Sequence, residues 1–305
     1  MGVVRKPTIS MYWSTDPLLN TPVFGAVMTR NRFLLLLKFL HFNNNQDAPN
    51  RDDDDRDRLF KLRPLLDHLF EKFQTAYTPT ESVVIDESLL LWKGRLVFKQ
   101  YIPLKRARFG IKIFCLCESS GYLYRFRVYT GREDPAHNIT NQLPGEVHQF
   151  SVTEKVVLHL MLPLLDQGYK LYMDNWYSSI RLYLYLRHRQ TNACGTIRQN
   201  RCPVPVRNSA PAQNQVSAFS TENVVCFKYK DKRNVNIITT MHSETSVPVP
   251  PRGRPGMEPN RAQKPEAIVA YNKNMGAVDQ LDQVSDSAYF FLLLSRAQYL
   301  LCICK

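Results

Sequence analysis

Hydrophobic positions in the first eighty residues recur at the spacing of an α-helix. Residues 21–42 contain the apolar run FLLLLKFL at 33–40, which predicts a helix buried on more than one side. A second set predicts an amphipathic helix ending near Tyr77, with apolar positions Leu59, Leu62, Leu66, Leu69 and Phe73. Pro64 marks the first turn of this helix or kinks it. The acidic run 52–55 is better explained as a solvated helix N-terminus than as a cation site.

From residue 81 the pattern changes to that of strands. Three β-branched or aromatic runs separated by turn residues predict an antiparallel meander, at 83–92, 109–117 and 122–129. Ser151 and Glu154 then form a capping box that predicts a helix N-terminus. A strand, a helix and a strand follow, at 169–173, 178–188 and 193–198. This alternation predicts parallel crossovers beside the meander, and therefore an α/β fold.

The alternation of predicted strands and helices is interrupted between residues 200 and 265. This stretch holds nine of the nineteen prolines. The runs 224–227 and 235–238 predict a β-hairpin, and residues 247–259 predict a proline-rich loop. We interpret the stretch as an insertion that hangs off the main domain.

Composition narrows the class of protein. The 305 residues carry a net charge of +13 with 40 Lys and Arg, which favours nucleic acid, although an anionic membrane surface would also fit. No secretory signal opens the chain, and no apolar run is long and uninterrupted enough to span a bilayer. The seven cysteines lack metal-ligand spacing, so we expect reduced packing residues in an intracellular protein.

Three aspartates stand at the ends of apolar elements. Asp86 lies in the first meander strand, Asp174 ends the fourth strand, and Asp279 opens a predicted helix. A carboxylate in such a place costs free energy unless a cation compensates it. Alone, each is more simply explained as a turn or cap residue; together, in a basic chain, they predict a Mg²⁺ site facing a polyanion. Asp282 shares a helical face with Asp279 and is a further candidate ligand.

Residues next to these aspartates are weaker candidates for metal or DNA binding. Glu87 should point to the opposite face of the strand from Asp86, because successive side chains of a strand alternate. Trp176 and Tyr177 could stack on a flipped base, but a place in the core explains them better.

Longer motifs surround these aspartates and resemble those of piggyBac transposases. The first two are DESLLLWKGR at 86–95 and KQYIPLKRARFGIK at 99–112. The next two are MDNWYSS at 173–179 and GTIRQNR at 195–201, and the last is YNKNMGAVDQLDQ at 271–283. They occur in the family's order, and the similarity covers roughly residues 12–283.

The resemblance implies an RNase H-like DDE/D transposase domain. Its fold would be a mixed sheet with flanking helices, an N-terminal helical region and an insertion between the second and third catalytic carboxylates. Asp86, Asp174 and Asp279 would hold Mg²⁺ or Mn²⁺, with Asp282 assisting catalysis. The partner would be DNA, cut at transposon ends through a hairpin intermediate and joined at TTAA targets. The residues implied to contact DNA are Lys99, Lys105, Arg106, Arg108, Lys112, Arg198 and Arg201.

The same resemblance suggests how the chain is divided. The helical region 1–80 would be part of a dimerisation and DNA-binding domain. The catalytic core would comprise 81–200 and the third-carboxylate helix at 266–283, with 201–265 as the insertion. Residues 284–305 depart from the family pattern, and we expect them to derive from an altered reading frame or unspliced sequence. A homodimer is left open, and nuclear location rests on the resemblance alone.

Several functions remain compatible with these features. We expect a member truncated at both ends, because a longer N-terminal region and a cysteine-rich zinc-binding tail are missing from the pattern. The chain is then an active or residually active strand-transfer enzyme, or a catalytically silent, transposon-derived DNA-binding protein. A general RNase H-like nuclease is a weaker third option.

Overall fold

The structure is a computed structural model that describes residue 4 and residues 6–50, 57–92, 94–103, 108–131, 142–248 and 263–287, with side chains up to 283. Some predictions fall outside these residues. They concern the acidic run 52–55, Lys105, Arg106, most of the proline-rich loop and the side chains of 284–305.

The predicted meander forms as expected. Its strands are β1 (Ser82–Leu91), β3 (Phe109–Glu118) and β4 (Leu123–Val128), with a short β2 (Gln100–Tyr101) on the outer side of β3. β1 pairs antiparallel with β3, placing Asp86 opposite Cys115. β3 in turn pairs antiparallel with β4. Gly110 permits the close β1–β3 approach, because an added Cβ would lie 2.3 Å from the carbonyl oxygen of Leu90.

Two parallel strands extend the sheet beyond β1. β5 (Lys170–Met173) pairs parallel with β1, and β6 (Asn192–Thr196) pairs parallel with β5. The predicted adjacency of the first and fourth strand runs is therefore confirmed. Helices α4 (Val152–Met161) and α5 (Ile180–His188) make the connections. The order found among the described strands, β2-β3-β1-β5-β6-β9-β8-β7 with β4 beside β3, makes a mixed α/β sheet of the RNase H-like kind.

The segment expected to hang off the domain instead continues this sheet. Its strands are β7 (Val216–Ser220), β8 (Val225–Lys230) and β9 (Asn234–Thr239). β8 and β9 form the predicted hairpin, and β9 pairs antiparallel with β6. The remaining elements of the stretch are α6 (Val204–Asn208), β10 (Ser246–Pro248) and β11 (Gln263–Pro265).

Helices cover both faces of the sheet. α4 and α5 pack on the face that carries Val83 and Ile85. The other face, which carries Val84, is covered by α3 (Arg63–Ala76), α7 (Glu266–Asn274) and α8 (Ala277–Ser287). Because β1 is buried on both faces, its sequence is almost continuously apolar, and the polar residues that interrupt it need a specific reason.

The capping box predicted at residue 151 is confirmed and does more than start α4. The backbone N–H of Ser151 donates to Glu154 at 2.6 Å. The Glu154 carboxylate also accepts from Arg181 at 2.7 Å and from the hydroxyl of Ser179, the N-cap of α5. Burial alone would raise the pKa of Glu154, but these hydrogen bonds outweigh it and lower that pKa. One buried carboxylate thus joins the beginnings of two helices.

The N-terminal helices differ from prediction. The predicted helical segment 21–42 forms two helices, α1 (Pro22–Val27) and α2 (Arg30–Phe39), and neither has a buried residue. Leu35 and Phe39 are exposed, so the expected burial on more than one side is wrong for the described part of the chain. Pro64 lies in the first turn of α3, as one alternative predicted.

Two further predictions concern membrane-spanning helices and the cysteines. No helix among them combines the length and apolarity needed to cross a bilayer. The five cysteines that can be described are buried free thiols, in agreement with packing roles.

Candidate metal and DNA site

Asp86 and Asp174 lie side by side at one edge of the sheet. The parallel register of β1 and β5 ends at the pair Ile85 and Met173, so the next residue of each chain segment is one of the two aspartates. Neighbouring strands are about 4.8 Å apart. Both aspartates are half-buried. The prediction that the first two carboxylates converge thus has a geometric basis in the strand register.

The Asp174 carboxylate is held in place but poorly compensated. Its Oδ1 accepts a 2.6 Å hydrogen bond from the backbone N–H of Trp176. Burial raises the pKa of Asp174, and the nearby charge of Glu87 adds to that effect. The Trp176 hydrogen bond and the cations Arg198 and Lys112 oppose it without cancelling it. A site of this kind favours either a proton or an added cation.

The fourth carboxylate, Asp282, is fixed to the same face of β1 as Asp86. The Ser88 hydroxyl, buried at 1% exposure, donates to Asp282 Oδ1 at 2.6 Å. Ser88 lies two residues after Asp86, so both side chains leave the strand on one face. Asp279 lies one turn earlier on α8 and is exposed.

The charges of these carboxylates act on common neighbouring groups. Burial raises the pKa of Tyr271 to about 12, and the charges of Asp174 and Asp86 add to this. Burial likewise raises the pKa of the Cys117 thiol, with contributions from Asp282 and Asp86. Asp86 thus acts on Tyr271 together with Asp174, and on Cys117 together with Asp282.

The described carboxylates do not by themselves make a complete metal-coordination site. Within the part of the chain that the structure describes, no three His, Cys, Asp or Glu side chains form a group that could hold a metal ion by themselves. Asp86 and Asp174 are gathered, whereas Asp279 is not brought into a compact group with them. An open pair of oxygen ligands still fits Mg²⁺, which takes one or two carboxylates and completes its shell with waters and substrate phosphates.

Glu87 lies on the opposite face from Asp86, as predicted, and forms a pair with Lys112. Lys112 Nζ is 3.0 Å from Glu87 Oε1, 4.4 Å from the ring centre of Trp176 and 4.7 Å from that of Phe114. The Trp176 and Phe114 rings stack, and Tyr177 is fully buried beside them. Lys112 was implied to contact DNA, yet its ammonium group is engaged within the protein. It supports the Trp176 loop that holds Asp174.

Arg201, another implied DNA contact, also braces this loop. Its guanidinium donates to the carbonyl oxygens of Asn175, Trp176 and Ser178 at 3.4, 3.2 and 3.0 Å. Arg198 donates to the Asn175 side chain at 3.3 Å. These arginines therefore fix the backbone that follows Asp174.

The remaining basic candidates lie along the β2–β3 side of the sheet. Arg108 is exposed. Lys99 donates to the carbonyl oxygen of Gly94 at 3.2 Å and lies 5.8 Å from the ring centre of Phe109. Of the basic residues in the block 99–108, only these two are described, and Arg108 is the one with an exposed side chain.

Sequence reasoning missed Ser88. A serine two residues from a candidate ligand, within an otherwise apolar buried strand, was the available signal, because such a hydroxyl needs a partner when buried. Its partner lies 194 positions later, which no local pattern reveals.

Comparison with known proteins identifies the class. The family model described as Transposase IS4 matches residues 1–303, so the chain belongs to this transposase family. The match includes residues 284–303, which counts against the expectation that this tail has a foreign origin.

The individual relatives are piggyBac proteins. The chain is 26% identical to human PiggyBac transposable element-derived protein 2, over 92% of this chain and 47% of the relative. It is 27% identical to human PiggyBac transposable element-derived protein 3, over 93% of this chain and 47% of the relative. The chain thus spans about half the length of these curated relatives.

A solved structure has the same fold. It is a cryo-EM structure of a piggyBac transposase synaptic complex with hairpin DNA. The similarity has a TM-score of 0.73 at 25% identity and covers 97% of this chain and 60% of that chain. The predicted family and fold class are confirmed.

Proposed function

We propose that this chain is the catalytic part of a piggyBac-type transposase, which cleaves DNA at transposon ends and transfers strands at TTAA sites with Mg²⁺ or Mn²⁺. The observation that carries the proposal is the lateral pairing of Asp86 and Asp174, with Asp282 hydrogen-bonded to the same strand through Ser88. Asp86 and Asp174 are half-buried carboxylates at a sheet edge, and the charge of Asp174 is incompletely compensated. Such a pair suits a cation-dependent reaction on a phosphodiester.

In this proposal Asp86, Asp174 and Asp279 would hold the cations and Asp282 would assist. A bound divalent cation lowers the pKa of an attacking water or 3′-hydroxyl and stabilises the leaving oxygen. The protein fixes Asp174 through the Trp176 N–H and keeps the supporting loop rigid through Arg201. Because Asp279 is exposed, substrate phosphate and water would complete the ligand set there.

The partner proposed is DNA, because the piggyBac transposase structure with the same fold is itself a synaptic complex with hairpin DNA. The domain division given above, with 81–200 and 266–283 as the core, belongs to the same proposal, as does a nuclear location. Of the implied DNA contacts, Arg108 is the best placed for a phosphate among the described residues.

A second candidate is a transposon-derived DNA-binding protein without turnover. The observation in its favour is that the described residues hold no preformed group of three metal-binding side chains. Such a protein would bind TTAA-flanked DNA through its basic surface and leave it intact.

One assay separates the two candidates. TTAA-flanked hairpin ends are incubated with the chain in Mg²⁺ or Mn²⁺, with Asp174→Asn as the test variant and Asp166→Asn, on an exposed pair with Arg189, as the control. Product that disappears with Asp174→Asn alone supports the enzyme. Retarded DNA without product from the unmodified chain supports the binding protein.

A further inference from the structure

A cavity of about 360 Å³ lies beside the outer strand of the meander. Among the described strands β4 pairs only with β3. The lining residues that matter here are Arg63, Phe70, Arg125, Arg127, Gln142 and His159. The register Glu87–Phe114–Arg127 puts β4 two strands, or about 10 Å, from β1. The cavity is therefore separate from the carboxylate site.

Arg125 is the unusual member of this lining. Its side chain is half-buried, and burial lowers the pKa of Arg125, so its charged form is penalised. The described residues offer its guanidinium neither a hydrogen bond nor an ion pair. Arg63 in the same cavity differs, because Asp57 accepts two hydrogen bonds from it, at 2.8 and 3.0 Å. A partly desolvated cation without a counterion is costly unless a ligand supplies one.

The chemistry of the lining indicates the ligand. Three arginines and His159 line the cavity against two aspartates, and Asp57 is already matched to Arg63. A guanidinium offers a planar fork of donors that fits the oxygens of phosphate or carboxylate. Phosphate fits this cluster better, because it carries more charge and more acceptor oxygens than a carboxylate. We propose that the cavity beside β4 binds a phosphate group through Arg125.

Two sources of phosphate share this chemistry. One is a small phosphate-bearing molecule that enters the cavity whole. The other is a backbone phosphate of bound DNA, and this source alone rests on the proposed function.

The test compares Arg125→Gln with Arg187→Gln, an exposed arginine on α5 that has the same charge change and lies outside the cavity. Calorimetry measures binding of inorganic phosphate, and fluorescence anisotropy measures binding of a DNA duplex across a series of KCl concentrations. Arg125→Gln is expected to weaken phosphate binding by about tenfold to a hundredfold. If DNA supplies the phosphate, the slope of log K against log salt falls by about 0.9. Arg187→Gln should change neither quantity.

The outcomes are distinct. A loss of phosphate binding with an unchanged DNA slope assigns the site to a small ligand, and a reduced slope assigns it to DNA. Unchanged phosphate binding together with an unchanged slope overturns the proposal. Arg125→Lys keeps the positive charge but not the planar donor group of the guanidinium, so it controls for a fold disrupted by loss of the charge. It should give an intermediate loss of phosphate binding. Failure of the unmodified chain to cleave DNA would refute the proposed function and leave the phosphate result standing.

Discussion

Asp174→Asn should remove catalysis and at the same time stabilise the fold. The substitution keeps the shape of the side chain and leaves an amide oxygen to accept the 2.6 Å hydrogen bond from the Trp176 N–H. What it removes is a half-buried negative charge whose pKa is raised by burial. A raised pKa means that the folded protein disfavours the charged form, so wild-type Asp174 costs stability at neutral pH.

The size of the effect is limited by partial solvent access. Each unit of pKa shift corresponds to about 1.4 kcal/mol, and Arg198 and Lys112 partly compensate the charge. We therefore expect Asp174→Asn to be more stable by about 0.5–1 kcal/mol at pH 7.5, or roughly 2 °C in Tm for a chain of this size. Asp174→Ala loses the hydrogen bond to the Trp176 N–H as well as the charge, and should lose about 1 kcal/mol relative to Asn.

The pH dependence of the stability difference tests whether the Asp174 charge is destabilising. The wild-type penalty is present above the folded pKa of Asp174 and fades as pH falls through it towards the unfolded pKa. Thermal unfolding of both proteins from pH 7.5 down to pH 4 should show the gap in Tm closing. Mn²⁺ should raise the Tm of the wild type more than that of Asp174→Asn, because only the wild type presents the charged ligand. A variant less stable than wild type at pH 7.5, or a gap independent of pH, would refute the reasoning.

Variants at three further positions test other parts of the fold and site. Ser88→Ala removes the donor to Asp282 and should cost about 1 kcal/mol in chemical denaturation and lower the DNA cleavage rate, whereas Ser88→Thr should retain part of both. Glu154→Gln should lower the free energy of unfolding by about 2 kcal/mol at pH 7. Because hydrogen bonds lower the pKa of Glu154, the greater stability of the wild type should be lost as pH falls through that lowered pKa. Gly195→Ala should destabilise the fold by more than about 3 kcal/mol or prevent folding, because the added Cβ would lie 2.1 Å from the carbonyl oxygen of Met173. Soluble yield and circular dichroism would test this. A native spectrum with unchanged stability would contradict it.

The core of the fold could be read from the sequence because its signals are local. Alternation and turn residues marked β1, β3 and β4, and the capping box at Ser151 marked α4. The parallel pairing of β1 with β5 followed from general rules of strand connection. These features depend on residues that are neighbours in the chain, so one sequence was enough.

The misjudged features depend on contacts that are distant in sequence. Leu35 and Phe39 made residues 33–40 look like a buried helix, but burial requires a partner surface, and the run itself does not encode one. The strands β7–β9 looked like an appendage, because nothing local says that β9 pairs with the edge of β6. The DNA contact that the resemblance implies for Lys112 stays a prediction; its ion pair with Glu87 depends on strand register, which no local pattern reveals.

The candidate site depends both on local sequence signals and on contacts between residues that are distant in sequence. Asp86 and Ser88 lie within the apolar strand β1, and Asp174 directly follows the apolar strand β5. Polar groups in such places cost free energy that packing alone does not offset. Ser88 is satisfied by Asp282, whereas no internal cation fully compensates Asp174. The loop that holds Asp174 is meanwhile braced by Arg201 and by the Lys112 stack on Trp176. A fold selected for stability alone would place a cation against Asp174; here the cations support its backbone and leave its oxygens available to a ligand.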